Sequence, residues 1–169
     1  MIQKDIHTRR SIAMAMKIMW AAAIFFGGWL FFYLFGRQLV FNFTAAYPMI
    51  KKMREQDKDL IAPGADKYTH ISVLVCVISI AVVAFIVIRF CPLYLIISCA
   101  VGAVSALLMY LPHSRLSDRG TFDLFCSAYS RFVPDDALRT AMFNRKPKDI
   151  RKRVREMGLD PSFVPSFSE

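Results

Sequence analysis

The hydrophobic positions of this chain are gathered into long unbroken blocks, not spread at the 3.6-residue or two-residue periods of soluble helices and strands. Three blocks, 18–36, 71–88 and 93–111, hold 19, 18 and 19 residues and contain no Asp, Glu, Lys, Arg or His. At about 1.5 Å of rise per residue, helices of that length span roughly 27 to 29 Å, close to a hydrocarbon core of about 30 Å. The pattern predicts an all-α membrane protein with three transmembrane helices. Three buried helices of a soluble protein are the alternative, but a chain of 169 residues leaves too little polar surface to cover three charge-free runs.

Only Arg89, Phe90, Cys91 and Pro92 separate the second block from the third, so these two helices are expected to form a tight antiparallel hairpin. Pro92 suits the first turn of the third helix, where its missing amide donor has no partner to lose. On that helix Ser98, Gly102 and Ala106 recur every four residues, a small-residue strip that lets another backbone approach closely. The strip predicts either a seam for a partner helix, leaving a homo-oligomer open, or packing against the chain's own second span. Gly27 and Gly28 offer a similar surface on the first helix.

Outside the blocks lie an N-terminal tail (1–17), a polar loop (37–70) and a C-terminal tail (112–169). In the loop, an interfacial stretch (41–47) precedes a short charged helix from Met49 to about Leu60, and Pro63 and Gly64 then make a turn. Met49, Ile50, Met53 and Leu60 give that helix one apolar stripe, and its mixed charges predict a solvated surface beside the membrane. In the tail, Thr121 is expected to cap a helix carrying Phe122, Phe125, Cys126, Tyr129 and Phe132 on one face, a face that must be hidden from water. Pro134, Asp135 and Asp136 open a second helix running to about Phe143. A third runs from Pro147 to Gly158, with Ile150, Val154 and Met157 on one side and Lys148, Arg151, Lys152, Arg153 and Arg155 on the others. Beyond it, 160–169 carries Phe163 and Phe167 and reads as an extended docking strand.

Charge enters first as a topology signal. Of the 22 Lys and Arg residues, five (Lys4, Arg9, Arg10, Lys17, Arg89) fall on the side of the N-terminus and 17 on the side of the loop and the C-terminal tail. By the positive-inside rule the second side is cytoplasmic and the N-terminus lies outside. Asn42-Phe43-Thr44 then faces the cytoplasm and is no glycosylation acceptor. A cleaved leader is disfavoured: the first block is long, carries Trp20, Trp29 and Tyr33, and ends in Gly36-Arg37 where a small-residue cleavage site belongs. These features suit a multi-pass protein of a bacterial inner membrane.

Candidate chemistry is sparse. The basic run 145–155 can sit on anionic lipid, meet an acidic protein, touch nucleic acid or simply be solvated. Nucleic acid is disfavoured because no aromatic platform or recognition motif accompanies the charges. The expected contact set is Lys148, Arg151, Lys152, Arg153 and Arg155. His70 and His113, brought to one membrane face by the hairpin with Asp66 and Asp118 nearby, form a candidate metal or pH-sensing pair, or are plain interfacial residues. Cys76, Cys91, Cys99 and Cys126 show no C-x-x-C spacing and read as small apolar fillers.

With no phosphate loop, nucleophile elbow or H-E-x-x-H, neither a cofactor nor an enzyme is expected. The spans hold no ionisable group of the kind coupled transporters use, although Ser72, Ser79, Ser98 and Ser105 leave room for a neutral-solute path in a small homo-oligomeric channel or transporter. No stretch matches a family motif. The role expected by elimination is a non-catalytic membrane subunit presenting a basic helical tail to cytoplasmic protein partners and lipids, in a setting such as a secretion or conjugation assembly.

Overall fold

The computed structural model describes residues 2–167, with side chains from Arg10 onward, and every regular element among them is helical. The chain runs α1 (Ile2–Phe41), a π-helical stretch (Asn42–Ala46), α2 (Tyr47–Gln56), α3 (Gly64–Phe90), α4 (Leu93–Tyr110), α5 (Arg119–Tyr129), α6 (Asp136–Phe143) and α7 (Pro147–Glu156). Three helical stretches, which hold α1, α3 and α4, are long and apolar enough to cross a membrane.

The first helix does not stop at Gly36 as its hydrophobic block suggests. Nothing between Arg37 and Tyr47 is a helix breaker, and α1 passes through the π-helical stretch straight into α2. That wider stretch ends just before Pro48, where a missing amide hydrogen and a bulky ring would disrupt a regular ladder.

The described residues divide into two compact units, one of 2–36 and 78–110, the other of 37–77 and 111–167. In the first unit α4 turns Leu95, Gly102, Ala103, Ala106 and Tyr110 inward, at the three- and four-residue spacing of one helix face. A Cβ at Gly102 would overlap the Phe25 carbonyl oxygen and lie 3.1 Å from the Trp29 amide nitrogen. At Gly28 it would come within 2.9 Å of Cys99 Sγ. Gly102 therefore packs closely against the α1 backbone. The large apolar side chains point away from this packing: Ile18, Phe26, Phe85 and Leu108 are each about two-thirds exposed.

The second unit is built the opposite way, around one core drawn from two distant stretches of sequence. Met49, Ile50 and Met53 of α2, with Leu60 and Ile61, pack in one cluster with Phe122, Phe125 and Tyr129 of α5, Leu138 of α6 and Val154 of α7. Each such side chain contributes roughly 1.5–3 kcal/mol when fully buried. The stripe at Met49, Ile50, Met53 and Leu60 is thus half of a domain core, and no free-standing surface helix forms there. A single-sequence reading misses this because neither half can show its partner.

Two local expectations change with it. Asp118 caps α5 by accepting from the Thr121 amide at 3.1 Å, while the Thr121 hydroxyl donates to the His113 carbonyl at 2.6 Å. A carboxylate one turn earlier competes better for that amide than a hydroxyl inside the helix. Residues 160–167 do not form an extended docking strand, and the last two residues of that segment lie outside the described residues. Asp160 caps a 3₁₀ turn (Pro161–Phe163), Phe163 is buried, and the Phe167 ring sits 5.3 Å from that of Phe122.

Candidate anion-binding groove

The basic run folds as the tight turn that follows α6 and the helix α7 beyond it, and the turn sets its geometry. At the end of α6 the Arg145 amide donates to the Met142 carbonyl at 2.9 Å and the Lys146 amide to the Ala141 carbonyl at 3.2 Å. This paired cap requires a left-handed residue at its pivot, normally glycine. The pivot here is Arg145, at φ 54°. α7 ends in the same arrangement: Gly158 donates to Arg155 and Leu159 to Val154, with Gly158 at φ 76°. One cap has the expected glycine and the other holds an arginine in a conformation that L side chains avoid.

Beside this turn lies a groove of about 270 Å³. Arg119, Arg145, Lys146, Lys148 and Arg151 line it together with Phe167, and Asp149 is the lone carboxylate among the lining side chains. The Arg119 guanidinium rests over the Phe167 ring at 5.6 Å, which positions both. Its carboxylate neighbour Asp123 is 3.6 Å away, and Lys146 lies 3.9 Å from Asp149. Arg145 and Arg151 have no carboxylate partner among the described residues. α7 also starts on Lys146 with no side-chain cap, whereas Asp118 and Asp135 cap α5 and α6. The positive end of the α7 dipole adds to the cationic field.

The five expected contact residues divide into three kinds. Lys148 and Arg151 line the groove, and Lys152 and Arg155 continue from them along the same face of α7 as a more open surface, outside the groove lining. Arg153 turns the other way and is a structural ion pair, its guanidinium donating to Asp135 Oδ2 at 2.8 Å and to Oδ1 at 3.1 Å. Asp135 also accepts from the Leu138 amide at 2.7 Å as the cap of α6. The bond from Arg153, with the amide donors, holds its carboxyl down at about 2. Arg119 and Phe167 escaped the sequence reading, since each stands well apart from the basic run and only folding brings them to it.

The remaining candidates are placed as follows. His70 Nδ1 bonds the Asp66 carbonyl of its own helix at 2.8 Å, and His113 lies 3.9 Å from Asp118. Asp66 is itself paired with Arg54. Among the described residues no three His, Cys, Asp or Glu side chains cluster as a metal site. Asn42 is buried and donates to the Ser72 hydroxyl at 3.0 Å, so the acceptor side chain of the glycosylation triplet is enclosed, while Phe43 and Thr44 are exposed. Ser105 turns its hydroxyl onto the Val101 carbonyl of its own helix, at 2.7 Å. Burial, with Asp123 nearby, pushes the Cys126 thiol up to about 12, which makes it a poor nucleophile.

Compared with family models, curated proteins and solved structures, the chain matches none of them.

Proposed function

We propose that this chain is a non-catalytic subunit or accessory protein of a larger membrane assembly, which holds a small helical domain against the cytoplasmic face of a bacterial inner membrane. Three crossings place the N-terminus outside, with α3 and α4 as an antiparallel hairpin whose turn at Cys91 and Pro92 lies on that outer side. The domain consists of the loop after the first span and the tail after the third.

The shared core carries this reading. Met53 and Leu60 from the loop are buried with Phe125 and Val154 from the tail, and such a core can form only if both segments lie on one side of the bilayer. Two crossings, α3 and α4, separate the loop from the tail and return the chain to the side it left, which meets that requirement. The charge bias assigns this side to the cytoplasm. The outward-facing Ile18, Phe26, Phe85 and Leu108 of the other unit are suited to lipid, because water would not tolerate so continuous an apolar surface.

Purification of the tagged full chain in mild detergent, with mass spectrometry of co-purifying chains, tests the role. Stable foreign membrane or cytoplasmic subunits are expected. A pure homo-oligomer that passes a neutral solute in liposomes would replace this reading with a channel. Reporter fusions test topology: a C-terminal fusion active only in the periplasm reverses the orientation.

A further inference from the structure

We propose that the groove at the α6–α7 turn is a binding site for a phosphate-bearing anion, an inference that rests on the reading of this domain as the cytoplasmic part of a membrane subunit. Arg119, Arg145, Lys146, Lys148 and Arg151 converge on a space of about 270 Å³ with one carboxylate, Asp149, among its lining side chains. Cations held this close repel one another, and a polyanion in the groove removes that repulsion. Two of them, Arg145 and Arg151, have no carboxylate partner among the described residues.

Phosphate fits better than a carboxylate. Its three oxygens and its charge near −2 can engage two guanidinium forks and an ammonium at once. The volume accommodates a phosphorylated headgroup or metabolite as well as a bare ion, and Phe167 offers an apolar wall to the remainder. The left-handed Arg145 fixes where one fork begins, since the capped turn leaves its backbone no freedom. The phosphate can belong to an anionic lipid headgroup or to a soluble phosphorylated molecule.

The test uses the full chain in nanodiscs of phosphatidylcholine, titrated with inorganic pyrophosphate by calorimetry. Saturable one-site binding is expected. Arg145→Gly combined with Arg151→Gln should weaken it by roughly tenfold or more, the scale of losing two charge-assisted hydrogen bonds. Lys152→Gln combined with Arg155→Gln removes the same net charge outside the groove and should weaken it by less than about threefold, as a screened long-range effect. Helical circular dichroism of each variant reports folding, and glycine at position 145 suits the turn.

Equal loss in both double variants means a diffuse field and overturns the groove, as does the absence of saturable pyrophosphate binding. Nanodiscs doped with phosphatidylglycerol identify the source. A lowered apparent pyrophosphate affinity supports occupancy of the groove by a lipid headgroup, and an unchanged one supports a soluble ligand. If foreign subunits still co-purify while pyrophosphate fails to bind, the groove falls and the subunit role stands. Loss of partners with binding intact does the reverse.

Discussion

The two units of this chain are held together by opposite means. Where α4 meets α1 the contact is made by residues almost without side chains, Gly102 and Gly28, while Phe26 and Phe85 face outward. Around α5 the large side chains face inward, and Phe122, Phe125 and Tyr129 are nearly or fully enclosed. The difference fits the proposed reading, in which one unit lies in lipid and the other in water. In lipid an apolar side chain gains little by turning inward, so helices associate through close backbone contact. In water the same side chain gains about 25 cal/mol for each Å² it hides, and a core of rings and branched chains forms.

Substitutions that invert side-chain size should therefore have opposite effects in the two units. Phe125→Ala opens the water-facing core and is expected to destabilise it by about 3–5 kcal/mol. Urea unfolding of the full chain in detergent, followed by near-ultraviolet dichroism, measures this. A loss below about 1 kcal/mol would mean that loop and tail do not share a packed core. Gly102→Val adds atoms where α1 and α4 touch and should cost about 1–3 kcal/mol, seen as a lower melting temperature in detergent. Gly27→Val is the matched control, because a Cβ there meets nothing within 4 Å. Its expected effect lies within roughly ±0.5 kcal/mol. Equal sensitivity at positions 27 and 102 would remove close backbone contact as the bond between these helices.

A smaller effect separates the units by pH. The carboxyl of Asp135 sits at about 2 in the folded domain against an ordinary value of 3.8, chiefly because Arg153 donates to it. A depressed carboxylate adds stability that is fully present above its unfolded value and fades as the pH falls towards the folded one. The domain should therefore lose stability between about pH 4 and pH 2. Asp135→Asn, which keeps a good helix cap but loses the charge, should flatten that slope. An unaltered pH profile in this variant would show that the Arg153 pair does not contribute.

How much of this was legible in the sequence follows the same division. The span helices declare themselves, because a helix in lipid needs only its own composition to be recognised, and 71–88 and 93–111 lie almost wholly within α3 and α4. The tail helices were legible from local capping chemistry at Asp135, Pro147 and Gly158. What stayed hidden depends on contacts between distant residues: the burial of Met49 and Met53 beneath α5, the return of Phe167 to Phe122, and the approach of Arg119 to the basic turn. The continuation of α1 past Gly36 was hidden for a different reason. Hydropathy reports where lipid-compatible residues stop, whereas a helix stops only where its backbone ladder is interrupted.

The smallest expected effect concerns the two matching caps, and its sign carries the information. Gly158 and Arg145 occupy equivalent pivots at φ 76° and φ 54°. An L side chain in the left-handed region costs about 1–2 kcal/mol, so Arg145→Gly relieves that much strain in the folded state. Glycine also widens the unfolded ensemble, which offsets about 0.5–1 kcal/mol. The net expectation is a domain more stable by roughly 0.5–1 kcal/mol, read from the urea midpoint at unchanged slope. An arginine held where glycine would be more stable marks a position kept for its charge, as strained residues at functional sites often are. If the variant instead loses stability, Arg145 is a structural contact of the fold, and the groove loses the feature that sets it apart from an ordinary basic surface.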